Sequence, residues 1–250
     1  MQVVVDGLLT RYEVHGTGKN LLLVHGWGDS AAGLAGLRTA LAKHYRVLAV
    51  DLPGFGTTEA PHGVWGLDAY AEFVAHFLAK IDEKPLHAII GHSNGGAIAL
   101  RGLARDVLHA DKVVLLASAG IRGEYKGRVK VLRILAKAGK ALTAPLPAPI
   151  KEKLRKKAYH TIGSDMLVAE HMQETFKKIV TDDVRADATQ LKLPVLLVYG
   201  DNDESTPLRY ARVFHERIRN ARLEIVPGAG HFVHNDRPDI VGPLLLEFLG

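Results

Sequence analysis

The sequence predicts an α/β protein built on an eight-stranded, mostly parallel sheet with helices on both faces. Three observations support this fold class. Short apolar, β-rich runs alternate with helix-length stretches, and parallel strands need such long crossovers. Two apolar runs flank Asp6 and Gly7 near the start of the chain, a pattern typical of an antiparallel hairpin. The 250 residues are nearly half apolar, which is enough for one substantial core.

Each element follows from its local pattern. Compact runs of Val, Leu and Ile predict strands, and longer amphipathic stretches between them predict helices. The expected strands are residues 3–5, 9–14, 21–24, 46–50, 86–90, 112–117, 195–199 and 223–226. The expected helices are residues 31–43, 68–81, 95–109, 207–218 and 236–249.

The alternation is interrupted once, from residue 121 to residue 192. This stretch has helical spacing, a proline-rich segment at 144–149 and no convincing strand. We interpret it as a helical cap inserted between strands 6 and 7, on the side of the sheet where ligands bind. The prediction is therefore a core of residues 1–120 and 193–250 with a cap at 121–192.

The positive charge is concentrated in the predicted cap. Residues 122–160 contain twelve Lys or Arg and two Glu, a net charge of +10, whereas the whole chain carries +5 and its remainder therefore −5. A protein that coats nucleic acid is not expected to be basic in one segment only. The segment instead predicts a local cationic surface, which either is simply solvated or contacts an anionic lipid surface or an acidic carrier protein.

Composition also limits the chemistry. The chain has no cysteine, which excludes disulfides, thiolate metal sites and thiol catalysis. No cofactor and no metal are expected, because His231 and His234 lack an accompanying H-E-x-x-H motif. No signal-peptide pattern begins the sequence and no apolar run approaches the roughly 18 residues of a membrane span, so a cytoplasmic location is expected.

A serine lies at the junction of a predicted strand and helix. Residues 91–96 read Gly-His-Ser-Asn-Gly-Gly and contain the G-x-S-x-G pattern of a nucleophile elbow. Small residues on both sides allow the sharp turn that would expose the hydroxyl of Ser93 above the sheet. The backbone N–H of Asn94, beside the start of the helix, would then point to where an oxyanion forms. His92 is expected to pack beneath the turn.

A serine nucleophile needs a base and a carboxylate that orients it. In an open α/β sheet both belong on loops after later strands. Gly-Asp-Asn-Asp follows the strand expected at 195–199, and Pro-Gly-Ala-Gly-His follows the strand expected at 223–226. His231 is therefore the candidate base, and both Asp203 and Asp201 are candidate acids.

Five stretches together carry a family resemblance over nearly the whole chain. They are LLLVHGWG at 21–28, DLPGFG at 51–56, GHSNGG at 91–96, YGDND at 199–203 and GAGHF at 228–232. In their order and spacing the chain resembles the α/β-hydrolase superfamily, in its serine esterase and lipase branch.

The resemblance implies roles for individual residues. It implies Ser93 as nucleophile, His231 as base and Asp203 as acid, with Asp201 as the alternative acid. It also implies that the backbone N–H groups of Trp27 and Asn94 form the oxyanion hole.

The resemblance further implies a cofactor-independent carboxylesterase that acts on a small ester through an acyl-enzyme. Alternatives on the same triad are carbon–carbon bond hydrolysis and perhydrolysis, and a non-enzymatic alternative is a small-molecule receptor of the same fold. The stretches at 21–28 and 51–56 are especially similar to esterases that cleave methyl esters of carrier-bound pimeloyl chains. An acidic carrier would complement the basic cap.

Overall fold

The computed structural model of the chain describes residues 1–82, 85–122 and 170–250. Most of the predicted cap at 121–192, and all but the first residue of the basic stretch at 122–160, lie outside the described residues. The cap boundaries therefore stay predictions, and only the contacts of residues 121–122 and 170–192 can be described.

Eight strands form one sheet in the order β1-β2-β4-β3-β5-β6-β7-β8. The strand β2 pairs antiparallel with β1 and with β4, and every other neighbouring pair is parallel. The predicted eight-stranded, mostly parallel sheet is therefore confirmed. The strands are β1 Gln2–Val5, β2 Leu8–His15, β3 Asn20–Val24, β4 Arg46–Val50, β5 Leu86–His92, β6 Lys112–Leu116, β7 Val195–Gly200 and β8 Ala221–Val226.

The α-helices of the described residues follow the predicted alternation. Their bounds are α1 Ala35–Leu41, α2 Leu67–Lys80, α3 Asn94–Ala104, α4 Gln173–Thr181, α5 Arg185–Ala188, α6 Leu208–Arg217, α7 Val233–Asp236 and α8 Pro238–Leu249. None of these helices combines the length and the apolar character that crossing a bilayer requires.

Two helices are at least four residues shorter than the sequence pattern predicts. α1 begins at Ala35 rather than at residue 31, because turns with hydrogen bonds from Gly33 N to Ser30 O (3.1 Å) and from Ala35 N to Ala32 O (3.1 Å) precede it. α3 ends at Ala104 rather than at residue 109, because Asp106 takes a left-handed conformation with φ 59°. Apolar periodicity continues through both turns, so it could not mark these ends.

The sheet is buried on both faces. Along β3, Leu22 and Val24 contribute to the core beneath α2 and α3, whereas Leu21 and Leu23 contribute to the core beneath α1 and α8. Alternate side chains of a strand point to opposite faces, so one apolar run supplies both layers. This double burial holds the carboxyl ends of the parallel strands in fixed positions.

A buried arginine joins the segment that precedes β7 to the core helices. The side chain of Arg101 on α3 is 5% exposed and donates to Asp187 at 2.7 Å, Asp182 at 2.9 Å and Asp68 at 3.1 Å. Asp182 follows α4 and Asp187 lies in α5, both between β6 and β7 in the chain, whereas Asp68 lies in α2. One guanidinium therefore fixes the position of α4 and α5 against α2 and α3.

Replacing Arg101 by leucine is expected to lower the free energy of unfolding by about 3–5 kcal/mol, because three clustered carboxylates lose the buried guanidinium that joins them and only the exposed Arg105 remains beside two of them. Urea denaturation would measure the change. The matched control is Arg105→Leu, since Arg105 is 53% exposed and pairs with the same Asp68 at 2.7 Å. An exposed pair contributes less than about 1 kcal/mol, so equal losses in the two variants would contradict the assignment.

Candidate active site

Four loops meet at the carboxyl edge of the sheet. They follow β3, β5, β7 and β8 and carry Trp27, Ser93, Asp203 and His231 respectively. Parallel strands end at the same edge, which is why residues so far apart in sequence come together. Trp27, Ser93, Asn94 and His231 all line one cavity of about 210 Å³ at this edge.

Ser93 occupies a strained turn between β5 and α3. Its backbone has φ 51° and ψ −115°, an unfavourable region for a residue with a side chain that costs about 1–3 kcal/mol. Hydrogen bonds hold it there: Ser93 N donates to Leu116 O at 2.9 Å, and Ser93 O accepts from Ala119 N at 3.0 Å. The serine is thus fixed between two central strands at the wall of the cavity.

Two glycines of the motif are required by close packing. A Cβ atom on Gly91 would lie 2.6 Å from the Cα of Gly96, and one on Gly95 would collide with the carbonyl oxygen of Val24. The start of α3 therefore passes directly over β3 and β5. This close approach explains the glycines that the motif places around the serine.

His231 and Asp203 form a hydrogen-bonded pair. The Nδ1 of His231 lies 2.9 Å from the Oδ2 of Asp203, whose side chain is fully buried, and the side chain of His231 is 19% exposed. A carboxylate can only accept, so Nδ1 carries the proton and Nε2 keeps its lone pair. That is the tautomer a general base requires.

The carboxylate of Asp203 receives three further hydrogen bonds. Its Oδ1 accepts from the backbone N–H groups of Ser205 and Thr206, each at 2.8 Å, and its Oδ2 accepts from the Thr206 hydroxyl at 2.7 Å. Burial raises the pKa of Asp203, but the hydrogen bonds from His231 and Thr206 outweigh that effect and hold the pKa below its usual value. The acid therefore stays ionised near neutral pH.

Sequence reasoning missed Thr206. A local signal existed, because an aspartate whose side chain accepts backbone N–H groups two and three residues later is a recurrent turn motif. The second role of the hydroxyl depends on the fold: it also lies 2.9 Å from the backbone carbonyl of Ala117, at the end of β6. No local pattern predicts that contact.

Asp201 has a different environment. It is exposed, and its Oδ1 accepts the backbone N–H of Gly228 at 2.7 Å. The loop after β7 is also joined to the loop after β8 by a bond from Asn202 N to Ala229 O at 3.0 Å. Asp201 therefore links the two loops, whereas Asp203 contacts the imidazole of His231.

A buried histidine orients the peptide that precedes Trp27. The Nε2 of His25 accepts from Leu52 N at 2.9 Å, so its Nδ1 carries the proton and donates to the carbonyl oxygen of Gly26 at 2.8 Å. Burial lowers the pKa of His25, which keeps the ring neutral and this tautomer stable. The Gly26 carbonyl and the Trp27 N–H belong to one peptide unit, so fixing the carbonyl fixes the direction of the N–H.

Besides the N–H of Trp27, the site has the backbone N–H of Asn94, the first residue of α3, as a candidate donor to an oxyanion. Its N–H has no acceptor within the helix, and the positive end of the helix dipole lies beside it. The buried side-chain amide of Asn94 has no hydrogen-bond partner among the described residues. This wall of the cavity is therefore polar, and the amide can serve as a donor or an acceptor towards a bound molecule.

Aromatic rings of Trp27, Phe176 and Tyr210 also line the cavity. The ring of Trp27 lies 4.8 Å from that of Phe55 and 5.1 Å from that of Phe176 on α4, measured between centroids.

Nowhere in the described part of the chain do three His, Cys, Asp or Glu side chains cluster as a metal site would need.

The arrangement of the loops and the fold agree with a comparison against protein families. The model of the Alpha/beta hydrolase family matches residues 21–242. The chain belongs to this family. The hydrolase-family motifs at 21–28, 91–96 and 228–232 all fall within the matched range.

Similar proteins include hydrolases of more than one kind. A pimeloyl-[acyl-carrier protein] methyl ester esterase of Neisseria meningitidis is 30% identical over 92% of this chain and 93% of its own length. A 2-hydroxy-6-oxo-6-(2'-aminophenyl)hexa-2,4-dienoic acid hydrolase of Metapseudomonas resinovorans is 27% identical over 99% and 89% of the two chains. The crystal structure of a membrane phospholipase A, a bacterial virulence factor, is 25% identical, covers 100% and 84%, and superposes with a TM-score of 0.79. The family and these relatives make the chain a hydrolase.

Proposed function

We propose that the protein is a serine esterase that cleaves carboxylic esters through an acyl-enzyme. The observation that carries this proposal is the position of His231. Its ring is held by the buried Asp203 at 2.9 Å and lines the same cavity as Ser93. A serine, a correctly protonated imidazole and a buried carboxylate are the groups that acyl transfer needs.

In the proposed reaction, Ser93 Oγ attacks the ester carbonyl carbon while its proton passes to His231 Nε2. The backbone N–H groups of Trp27 and Asn94 hold the oxyanion of the tetrahedral intermediate. The C–O bond to the alcohol then breaks and the alcohol takes the proton from His231. Water, deprotonated by the same imidazole, attacks the acyl-enzyme, which releases the acid and restores Ser93.

The relatives suggest two substrate classes for the proposed site. The esterase relative supports an ester of a carboxylic acid. The dienoic acid hydrolase relative supports cleavage of a carbon–carbon bond next to a carbonyl as a second candidate, because its similarity extends over nearly the whole chain. Both reactions would begin with the substrate carbonyl in the oxyanion hole.

A substrate screen tests the proposal and separates the candidates. It would include p-nitrophenyl esters of increasing acyl length, a dienoic acid of the carbon–carbon class and a methyl ester of a carrier-bound acyl chain. Steady turnover of short neutral esters is the expected result. A burst of one equivalent without turnover would instead favour a receptor, and turnover of the dienoic acid alone would favour the second candidate.

The basic segment at 122–160 is proposed to attract an anionic substrate, carrier or lipid surface. We expect a higher KM for an anionic ester when four cations of this segment are changed to Glu, namely Lys153, Arg155, Lys156 and Lys157. The expected increase is about tenfold at low ionic strength, because electrostatic attraction speeds the association of the protein with an anionic substrate. The kcat for a small neutral ester should stay within about twofold, since the proposed triad lies on loops that follow β5, β7 and β8 and not in this segment. Kinetics with neutral and anionic esters of equal chain length would measure both effects.

The salt dependence supplies the control. At physiological ionic strength, salt screens charges over about 8 Å. The difference in KM for the anionic ester between the wild-type protein and the variant should therefore become smaller. If KM is the same for both esters at low and high salt, and neither anionic vesicles nor an acidic carrier protein bind, the segment is a solvated surface.

A further inference from the structure

We propose that His92, the residue before the nucleophile, is a positioning residue for the base. Its imidazole holds the backbone of His231 by a hydrogen bond and so sets the distance between the base and Ser93. This inference rests on the proposed function, in which His231 is the base. It adds a role for a buried histidine that the proposed reaction does not use.

The hydrogen bond joins distant parts of the chain. The Nε2 of His92 lies 3.0 Å from the backbone carbonyl oxygen of His231, a residue 139 positions later. A carbonyl can only accept, so Nε2 carries the proton and donates. Among the described residues, it is the one hydrogen bond made to the backbone of His231. Other hydrogen bonds hold Gly228, Ala229 and Gly230, whereas the bond from His92 acts directly on the backbone of His231.

The other side of the ring touches the oxyanion loop. A Cβ atom built on Gly26 would lie 3.1 Å from His92 Nδ1 and 3.1 Å from the Cβ of Ser93. The ring is thus packed between the loop that precedes Trp27 and the loop that carries His231, and its own backbone leads directly into Ser93. One side chain therefore contacts the three loops that carry Trp27, Ser93 and His231, whose relative positions the proposed reaction requires.

His92 is suited to a fixed, neutral donor role and not to that of a second base. The residue is 1% exposed. Burial lowers its pKa well below the usual value, and the nearby imidazoles of His234 and His231 lower it further. The proton on Nε2 is engaged with a carbonyl, so this nitrogen has no lone pair for Ser93.

The sequence of the base loop explains why such a bond is needed. His231 follows Gly228, Ala229 and Gly230, and glycine-rich segments have much conformational freedom to lose. A general base must lie within hydrogen-bond reach of its proton donor, and a misplacement of about 1 Å costs about 100-fold in rate. Hydrogen bonds already restrain Gly228, Ala229 and Gly230, and the buried donor of His92 extends that restraint to the backbone of His231.

The test compares His92→Leu with His92→Gln. Leucine removes the donor at similar volume, whereas the Nε2 of glutamine reaches the position of the imidazole Nε2. For a short neutral p-nitrophenyl ester, His92→Leu is expected to lower kcat about 100-fold with KM within about twofold, and His92→Gln should recover most of that loss. If the leucine variant does not fold, His92→Asn replaces it, since its amide reaches only the position of Nδ1.

His234→Leu is the matched control. His234 is also buried, and its ring centroid lies 4.9 Å from that of His92, but the described contacts give it no hydrogen bond to His231. This variant should keep kcat within about twofold, because it leaves the hydrogen bond from His92 to the His231 carbonyl in place. Thermal unfolding of each variant would separate loss of activity from loss of the fold.

A spectroscopic measurement tests the position of His231 independently of activity. The low-field proton resonance of His231 Nδ1–H, assigned by its loss in His231→Gln, should broaden in His92→Leu and persist in His92→Gln. Wild-type kcat and an unchanged resonance in His92→Leu would overturn the inference, as would equal losses of kcat in the leucine and glutamine variants. If Ser93→Ala kept activity, the proposed function would fail, and the resonance would still decide whether His92 positions His231.

Discussion

Replacing Ser93 by alanine is expected to lower kcat for ester hydrolysis by about 10⁶. The reason is chemical: without Oγ no acyl-enzyme forms, and the remaining oxyanion donors and binding contacts accelerate the attack of water only weakly. The cavity should still bind the ester, because Trp27 and the apolar wall are unchanged. Initial rates at saturating substrate, together with a mass measurement for an acyl adduct, would check both parts.

The fold of the Ser93→Ala protein should be unaffected. Alanine retains a Cβ atom, so the strain of φ 51° at this position is the same before and after the change. The free energy of unfolding is expected to shift by less than about 1 kcal/mol, as for substitutions that alter neither packing nor buried hydrogen bonds.

Ser205→Ala is the matched control for the nucleophile. Ser205 lines the same cavity, and its contribution to Asp203 is made by the backbone N–H, which alanine keeps. Turnover within about twofold of wild type is expected, because its hydroxyl has no place in the proposed chemistry. Should Ser93→Ala keep more than a few per cent of the wild-type rate, the nucleophile would have to be sought elsewhere.

The sheet and the nucleophile turn were predictable because local patterns determine them. Strands buried on both faces are compact apolar runs, and the elbow needs glycine where α3 passes over β3 and β5. Ser93 and His231 could therefore be placed on loops at the carboxyl edge from the sequence. The start of α1 could not, because its preceding turns at 30–35 carry the same apolar spacing as a helix.

Features that depend on contacts between residues far apart in the chain could not be predicted from the sequence. Three contacts join segments at the ends of different strands: the hydrogen bond from His92 to His231, the one from Leu52 N to His25, and the contact of Thr206 with Ala117. Asp203 and Asp201 stand two residues apart in the same polar loop, and only the family resemblance distinguished them in the sequence. Burial and hydrogen-bond partners give them different environments in the fold.

Replacing Asp203 by asparagine is expected to lower kcat by about 10⁴ with little effect on KM. An asparagine amide can donate a hydrogen bond to His231 Nδ1, and this favours the tautomer that carries its proton on Nε2. That imidazole can no longer accept the proton of Ser93. Steady-state kinetics of a short neutral ester at pH 7 would measure the loss.

Asp201→Asn makes the same chemical change two residues away. An asparagine at 201 still presents an Oδ1 atom to the backbone N–H of Gly228, so the link between the two loops is retained. Because Asp201 is exposed, its charge is solvated and contributes little to the field at His231. The expected kcat is within about threefold of wild type. The opposite order, with Asp201→Asn the more damaging change, would assign the acid to Asp201 and leave Asp203 as a residue that shapes the turn before α6.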